Sequence, residues 1–218
     1  MRFEGIEKVW MKLVDTDVKI LPSDDGAVHV EASPDWAFSL KTRGKELSIL
    51  TSTRWKLKNF LKKEKDKSKL VMRVPWDVEV SGGLKKAPLH AKGVRFDSLA
   101  VGGAPAELRE CEVGLLTAGM IRGKASIYVT RKSTITLAMG SLEVRVLSLD
   151  DALDVSTAMG SINLYLPEDC DARIEPAGKE ENIILKTEKV LGSGMHRVSV
   201  SSAGGRIIVD TWGDLDDI

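Results

Sequence analysis

Leu137-Ala138-Met139-Gly140-Ser141-Leu142-Glu143-Val144-Arg145-Val146 returns twenty residues later as Thr157-Ala158-Met159-Gly160-Ser161-Ile162-Asn163-Leu164-Tyr165-Leu166. The match covers a turn and the strand that follows it, so the repeating unit is a piece of architecture. In the strand halves Leu142, Val144, Val146 and Ile162, Leu164, Leu166 point one way, while Glu143, Arg145, Asn163 and Tyr165 point the other. One face is core and one is wet. The turn halves combine a small residue with glycine, as a corner needs where the backbone bends inward and φ turns positive.

Weaker copies begin at Leu99-Ala100, Thr117-Ala118, Pro176-Ala177 and Ser202-Ala203, which puts alanines at 100, 118, 138, 158, 177 and 203, in steps of 18, 20, 20, 19 and 26. A turn plus a half-buried strand every twenty or so residues predicts an all-β fold, a single-stranded β-helix or solenoid-like stack of rungs of about 20 residues. The long last step is ascribed to residues 186–197, a hairpin excursion around Gly192-Ser193-Gly194 that joins 190–191 to 198–200. A final rung closed by Trp212 is expected to cap the stack.

Upstream, short apolar runs at 18–21, 28–30, 36–40, 47–50 and 70–74 are broken by Pro22, Asp24-Asp25-Gly26, Ser33-Pro34 and Pro75. They predict an N-terminal β meander continuing into the stack. No Gly/Ser-rich or Pro-rich linker divides the chain, so residues 1–218 are expected to form one domain.

The composition suits a narrow, layered core: 43% of residues are hydrophobic and only 5% aromatic, leaving Val, Ile, Leu and Ala to fill the interior. The 32 Lys and Arg balance the 32 Asp and Glu, which argues against a nucleic-acid partner. The balance is uneven: residues 1–110 hold 21 basic and 16 acidic side chains and the remainder 11 and 16, so the halves carry +5 and −5. Glutamine is absent, asparagine occurs only at 59, 163 and 182, and 29% of residues are charged, the composition of a thermophile protein. Charges at Glu4, Glu7, Lys8, Lys12 and Asp15 leave no apolar leader, and no run is long enough to span a membrane, so the expected localisation is cytoplasmic.

One segment stands apart. Residues 54–69 carry eight basic and two acidic side chains, interleaved with Trp55, Phe60 and Leu61. This exposed basic loop is the candidate contact surface, formed by Arg54, Trp55, Lys56, Lys58, Phe60, Lys62, Lys63, Lys65 and Lys67, and it suits a peripheral anionic membrane surface.

The small-small-Gly-x-Ile-x-Leu units at 138–146, 158–166 and, more loosely, 202–209, with strands that end apolar-Pro at Val74-Pro75 and Leu166-Pro167, resemble the adhesin-type domain of unknown function called the toastrack domain, related to the head domains of predicted bacterial adhesins. The resemblance spans most of the chain and its motifs are structural. It implies a β-helix-like domain used for surface interaction or attached to membrane-stress systems, with no catalytic residues to carry over.

The residues themselves point the same way. His29, His90 and His196 lie in no HxH or HxxxH spacing, so no metal is expected. The carboxylate groups Asp150-Asp151 with Asp154, Glu168-Asp169-Asp171 and Glu180-Glu181 read as polar turns. The glycine pairs 102–103 and 204–205 form no phosphate loop, and no cofactor is expected. β-helices also carry polysaccharide-cleaving enzymes, but the wet face of the two best rungs offers Glu143 and Arg145 beside Asn163 and Tyr165 rather than a carboxylate pair. Cys111 and Cys170 follow their corner alanines by eleven and twelve positions, on rungs three apart, about 14 Å at about 4.8 Å per rung, beyond disulfide reach. The expected function is a noncatalytic scaffold that binds a protein partner or self-associates. A membrane-stress module docking anionic lipid is the alternative, and a carbohydrate-active enzyme the third reading.

Overall fold

The computed structural model describes residues 1–52 and 68–213. Its strands are β1 (Arg2–Phe3), β2 (Lys8–Val14), β3 (Thr16–Pro22), β4 (Val28–Ser33), β5 (Phe38–Arg43), β6 (Glu46–Thr51), β7 (Ser68–Val74), β8 (Glu79–Lys85), β9 (Leu89–Lys92), β10 (Arg95–Gly102), β11 (Ala106–Val129), β12 (Ser133–Leu149), β13 (Leu153–Thr157), β14 (Ser161–Pro167), β15 (Ala172–Gly178), β16 (Ile183–Leu185), β17 (Val190–Leu191), β18 (His196–Ser202) and β19 (Arg206–Trp212). Nearly all pair in parallel, each strand with its counterpart one turn away, which makes two columns of strands facing each other across a thin core.

The first column runs β6, β2, β8, β10, the 112–118 leg of β11, the 133–137 leg of β12, β13, β18 and β15. The second runs β7, β3, β9, the 106–109 leg of β11, its 122–129 leg, the 141–149 leg of β12, β14, β19 and β16. One strand from each column makes a rung, numbered 1 to 9 in that order. The two second-column legs of β11 lie side by side, with the Ser126 hydroxyl donating to Leu108 O and accepting from Glu110 N.

The core follows from the alternation. Val9, Met11 and Leu13 of β2, Val18 and Ile20 of β3, and Leu142, Val144 and Val146 of β12 are all buried. Ile162, Leu164 and Leu166 of β14 join them, as the repeat predicts. Phe96 is the largest side chain among those fully buried, and aliphatic residues fill the rest.

Rung order departs from chain order at both ends. Residues 8–22 form rung 2, between rung 1 from 46–51 and 68–74 and rung 3 from 79–92. Residues 196–212 form rung 8, inserted between rung 7 from 153–167 and rung 9 from 172–185. The long last step in the repeat therefore comes from chain that leaves to build the end rung and returns to fill the space behind it. The expected hairpin between 190–191 and 198–200 does not form: β17 pairs antiparallel with β15 at Ala172 and Arg173 and covers part of the final edge. Trp212 closes rung 8 rather than the stack, its indole Nε1–H donating to Val146 O (2.9 Å) with Arg145 over its ring.

At the opposite end antiparallel strands form the cap: β5 pairs with β6, β4 with β7, and β1 with β4. The described residues among the first seventy are thus shared between rungs and cap. Trp36, expected in a strand, lies in a single 3-10 turn, Asp35–Ala37, before β5. The alanine corners also fall out of step, since Ala118 pairs with Leu137 and Ala100 with Thr117. The true register aligns Val101, Ala118, Leu137 and Thr157, in steps of 17, 19 and 20.

Both cysteines are free and buried. With rung 8 inserted they stand four rungs apart instead of three, about 19 Å by rung spacing. Burial pushes both thiols up to about 11.

Candidate functional site

The outer face of the second column has a wet row in which one side chain per rung stacks on the next. From rung 2 to rung 7 it reads Lys19, His90, Glu107, Lys124, Glu143 and Asn163. A second row reads Lys92, Arg109, Ser126, Arg145 and Tyr165. These rows line two adjoining grooves. One, of about 540 Å3, is bordered by His90, Glu107, Arg122, Lys124, Glu143 and Asn163, and the other, of about 370 Å3, by Lys19, His90, Lys92, Glu107 and Arg109. They share His90 and Glu107.

Glu107 is the centre of this surface. Its Oε1 accepts from Arg109 Nε (2.7 Å) and its Oε2 lies 3.0 Å from His90 Nδ1. Arg109 first, and His90 second, hold its carboxyl below the usual carboxylate range. A carboxyl held toward its ionised form serves as a hydrogen-bond acceptor. On either side Lys124 pairs with Glu143 (3.4 Å) and Lys92 with Glu110 (3.5 Å). Lys19 and Arg122 have no carboxylate within 4 Å among the described residues. The lining therefore carries five full cations against Glu107 and Glu143, and two of those cations are free to meet an outside anion.

The sequence-derived contact residues Arg54, Trp55, Lys56, Lys58, Phe60, Lys62, Lys63, Lys65 and Lys67 lie outside the described residues. Of the rest of that segment, Ser68 is buried with its hydroxyl 2.9 Å from that of Thr16, and Lys69 faces solvent on β7. The other candidates are dispersed. His29 Nε2 lies 2.9 Å from both carboxylate oxygens of Asp25 at the capped end. Asp154 bridges Lys132 and Arg197, and Asp171 accepts from Ser193 N in the turn after β17. Glu143 pairs with Asn163 and Arg145 with Tyr165, the side-by-side placement the repeat predicts. The His90, Glu107, Arg109 and Lys92 cluster was missed. Its signal is the 17-residue step from His90 to Glu107 and from Lys92 to Arg109, one turn of the coil in this part of the stack.

No family model matches the chain, and no curated protein matches it. No helix among the described residues is long and apolar enough to cross a membrane. Among solved structures, the chain is similar to a "putative adhesin" from Bacteroides fragilis, 10% identical, with a TM-score of 0.45 over 96% of this chain and 94% of that one. It is similar to a "putative cell adhesion protein" from Clostridium sporogenes, 12% identical, TM-score 0.38, over 96% and 94%. A "putative adhesin" from Parabacteroides merdae, 12% identical, aligns over 97% and 94% with a TM-score of 0.36.

Proposed function

We propose that the chain is a noncatalytic, adhesin-like interaction domain that docks an extended acidic segment of a protein partner along the outer face of its second column. The observation that carries this reading is the pair of adjoining grooves, lined one side chain per rung, with Lys19 and Arg122 free of carboxylate partners. Those two cations stand three rungs apart, about 14 Å at about 4.8 Å per rung, so two well-separated anions on one ligand engage both. The ligand runs along the stack, crossing strands, because the lining repeats in that direction. The ion pairs already present fix the flanking side chains, which lowers the ordering cost of binding.

The test is fluorescence anisotropy of a labelled ten-residue polyglutamate, titrated with the chain at about 0.01 M and about 0.15 M salt, where the Debye length falls from about 30 to about 8 Å. Binding should weaken with salt and fall at least tenfold in Lys19→Glu/Arg122→Glu. No binding at low salt, or binding that the double variant leaves unchanged, overturns the groove as the docking surface. A parallel titration with phosphatidylserine vesicles separates the reading from a lipid one: vesicle binding that survives the double variant places the contact elsewhere, as the 54–69 segment would require.

A further inference from the structure

The Ala-Met-Gly corners at 138–140 and 158–160, and the Ala-Gly-Met corner at 118–120, put a large apolar side chain where the core gains nothing from it. Met120 and Met159 are each 67% exposed and Met139 is 39% exposed. They belong to one file. Met120 pairs with Met139 in register, and Met159 N donates to Ala138 O (3.0 Å), which sets Met159 beside Met139 on the next rung. The middle member is the most shielded, as expected when neighbours flank it on both sides.

The file ends on a glycine at each side, and the Lys86 side chain packs over the one at 103. Gly103 N donates to Met120 O on one side, and Ala203 N donates to Thr157 O on the other, which brings Gly204 beside Met159. Neither glycine carries a side chain to cover a sulfur. Beyond Gly103 the corner position is Lys86, whose N donates to Gly102 O, so the two positions next to the file on that side hold no carboxylate. The corner presents three thioethers, with the exposed hydroxyls of Ser141 and Ser161 one residue beyond Gly140 and Gly160.

We propose that Met120, Met139 and Met159 form a binding site for a soft monovalent cation of the Cu(I) class. Thioethers select Cu(I) over hard and borderline ions. Two sulfurs bound to one ion at about 2.3 Å can stand up to about 4.6 Å apart, close to the rung spacing of about 4.8 Å. Each methionine has three rotatable bonds, so the outer two lean toward the middle one without moving the backbone. The parallel stack supplies the spacing, and the exposure of all three side chains leaves their sulfurs open to an ion from solvent. This site lies at the corner between the columns and does not depend on the groove.

Silver(I), which has the same preference and no redox chemistry here, is the probe. The chain, with methionine methyls labelled in carbon-13 and Cys111 and Cys170 replaced by alanine, is titrated with silver nitrate in chloride-free buffer and followed by methyl NMR. The reduced wild-type chain is run beside it, since the methyl signals report each methionine separately. The methyls of Met120, Met139 and Met159 should shift together and saturate at one ion per chain. Met195, 73% exposed and outside the file, serves as the internal control and should need at least tenfold more silver. Met139→Leu keeps the apolar volume and removes the central sulfur. It should weaken binding at least tenfold and leave Met120 and Met159 behaving like Met195. Parallel titration of Met195 with the file, or unchanged affinity in Met139→Leu, overturns the site.

Discussion

At the residue scale the strongest constraint is the corner glycine of the central repeat. Gly140 sits at φ +102°, and a Cβ there would lie 1.9 Å from the backbone oxygen of Ile121 on the rung beside it. Both the conformation and the contact exclude a side chain, and a backbone oxygen cannot rotate away. Gly140→Ala should therefore cost about 3 kcal/mol of unfolding free energy, measured by urea denaturation. Gly83 makes the comparison: it stands on the outer face of β8, a Cβ added there would meet nothing within 4 Å, and its φ is not positive. Gly83→Ala should stay within about 0.5 kcal/mol. Equal losses at the two sites would mean that the Ile121 contact and the positive φ are not what constrains position 140. Glycine at 140 was legible in the sequence as a corner, but its tight partner was not, because Ile121 comes next to it only through a register step of 19.

At the element scale a charge clasp on the first column binds successive rungs from outside. Arg131 leaves the start of rung 6 and reaches back over Gly114. Its Nε lies 3.1 Å from Glu112, its NH1 3.6 Å from Glu79 and 3.7 Å from Asp97, and its NH2 donates to Phe96 O at 3.4 Å. Arg95 joins the same two glutamates, at 3.2 Å to Glu112 and 3.9 Å to Glu79. The Glu112 side chain is only 7% exposed, so it depends on these cations for compensation. Arg131→Ala should cost about 2 kcal/mol and Arg131→Lys recover only part, since a single ammonium cannot span several acceptors as a guanidinium does. The loss should change little between low and high salt, because a shielded pair is screened weakly. A loss below about 0.5 kcal/mol in denaturant titrations would reduce the clasp to a surface ion pair. None of this was readable in advance: the bulge between Phe96 and Ser98 shifts the register by one, so partners up to three rungs away cannot be placed by counting twenties. The strand alternation itself was readable wherever glycine or proline punctuates it. Strand β2 carries the same alternation, with Lys8, Trp10 and Lys12 exposed between Val9, Met11 and Leu13, but was not picked out.

At the scale of the whole molecule the stack is legible as a periodicity but its order is not. Parallel rungs with the same inward pattern offer nearly equivalent surfaces, so a local pattern cannot say whether the next segment docks directly or skips one place. What decides is the match of whole rungs, and here rung 9 is made before the rung it rests on. β15 and β16 have β18 and β19 as their parallel partners, with β17 adding two antiparallel residues. The end rung therefore has no direct strand pairing to rung 7. A chain ended after residue 195 should leave 172–185 without a place to pair, although those residues are all present. Hydrogen exchange followed by mass spectrometry should show protection lost at Ile174 and Ile183, both buried in the full chain, while Val113 and Ile127 of rung 5 stay protected. Ending the chain after residue 168 should leave the exchange of rung 5 the same as in the 195 variant, because rung 9 adds nothing once rung 8 is gone. Slow exchange at Ile174 in the 195 variant would mean that rung 9 docks straight onto rung 7 and that the inserted rung is a late addition. Fast exchange ties the whole C-terminal end to the last strands made, so that the stack closes only when the final rung slides in behind its own cap.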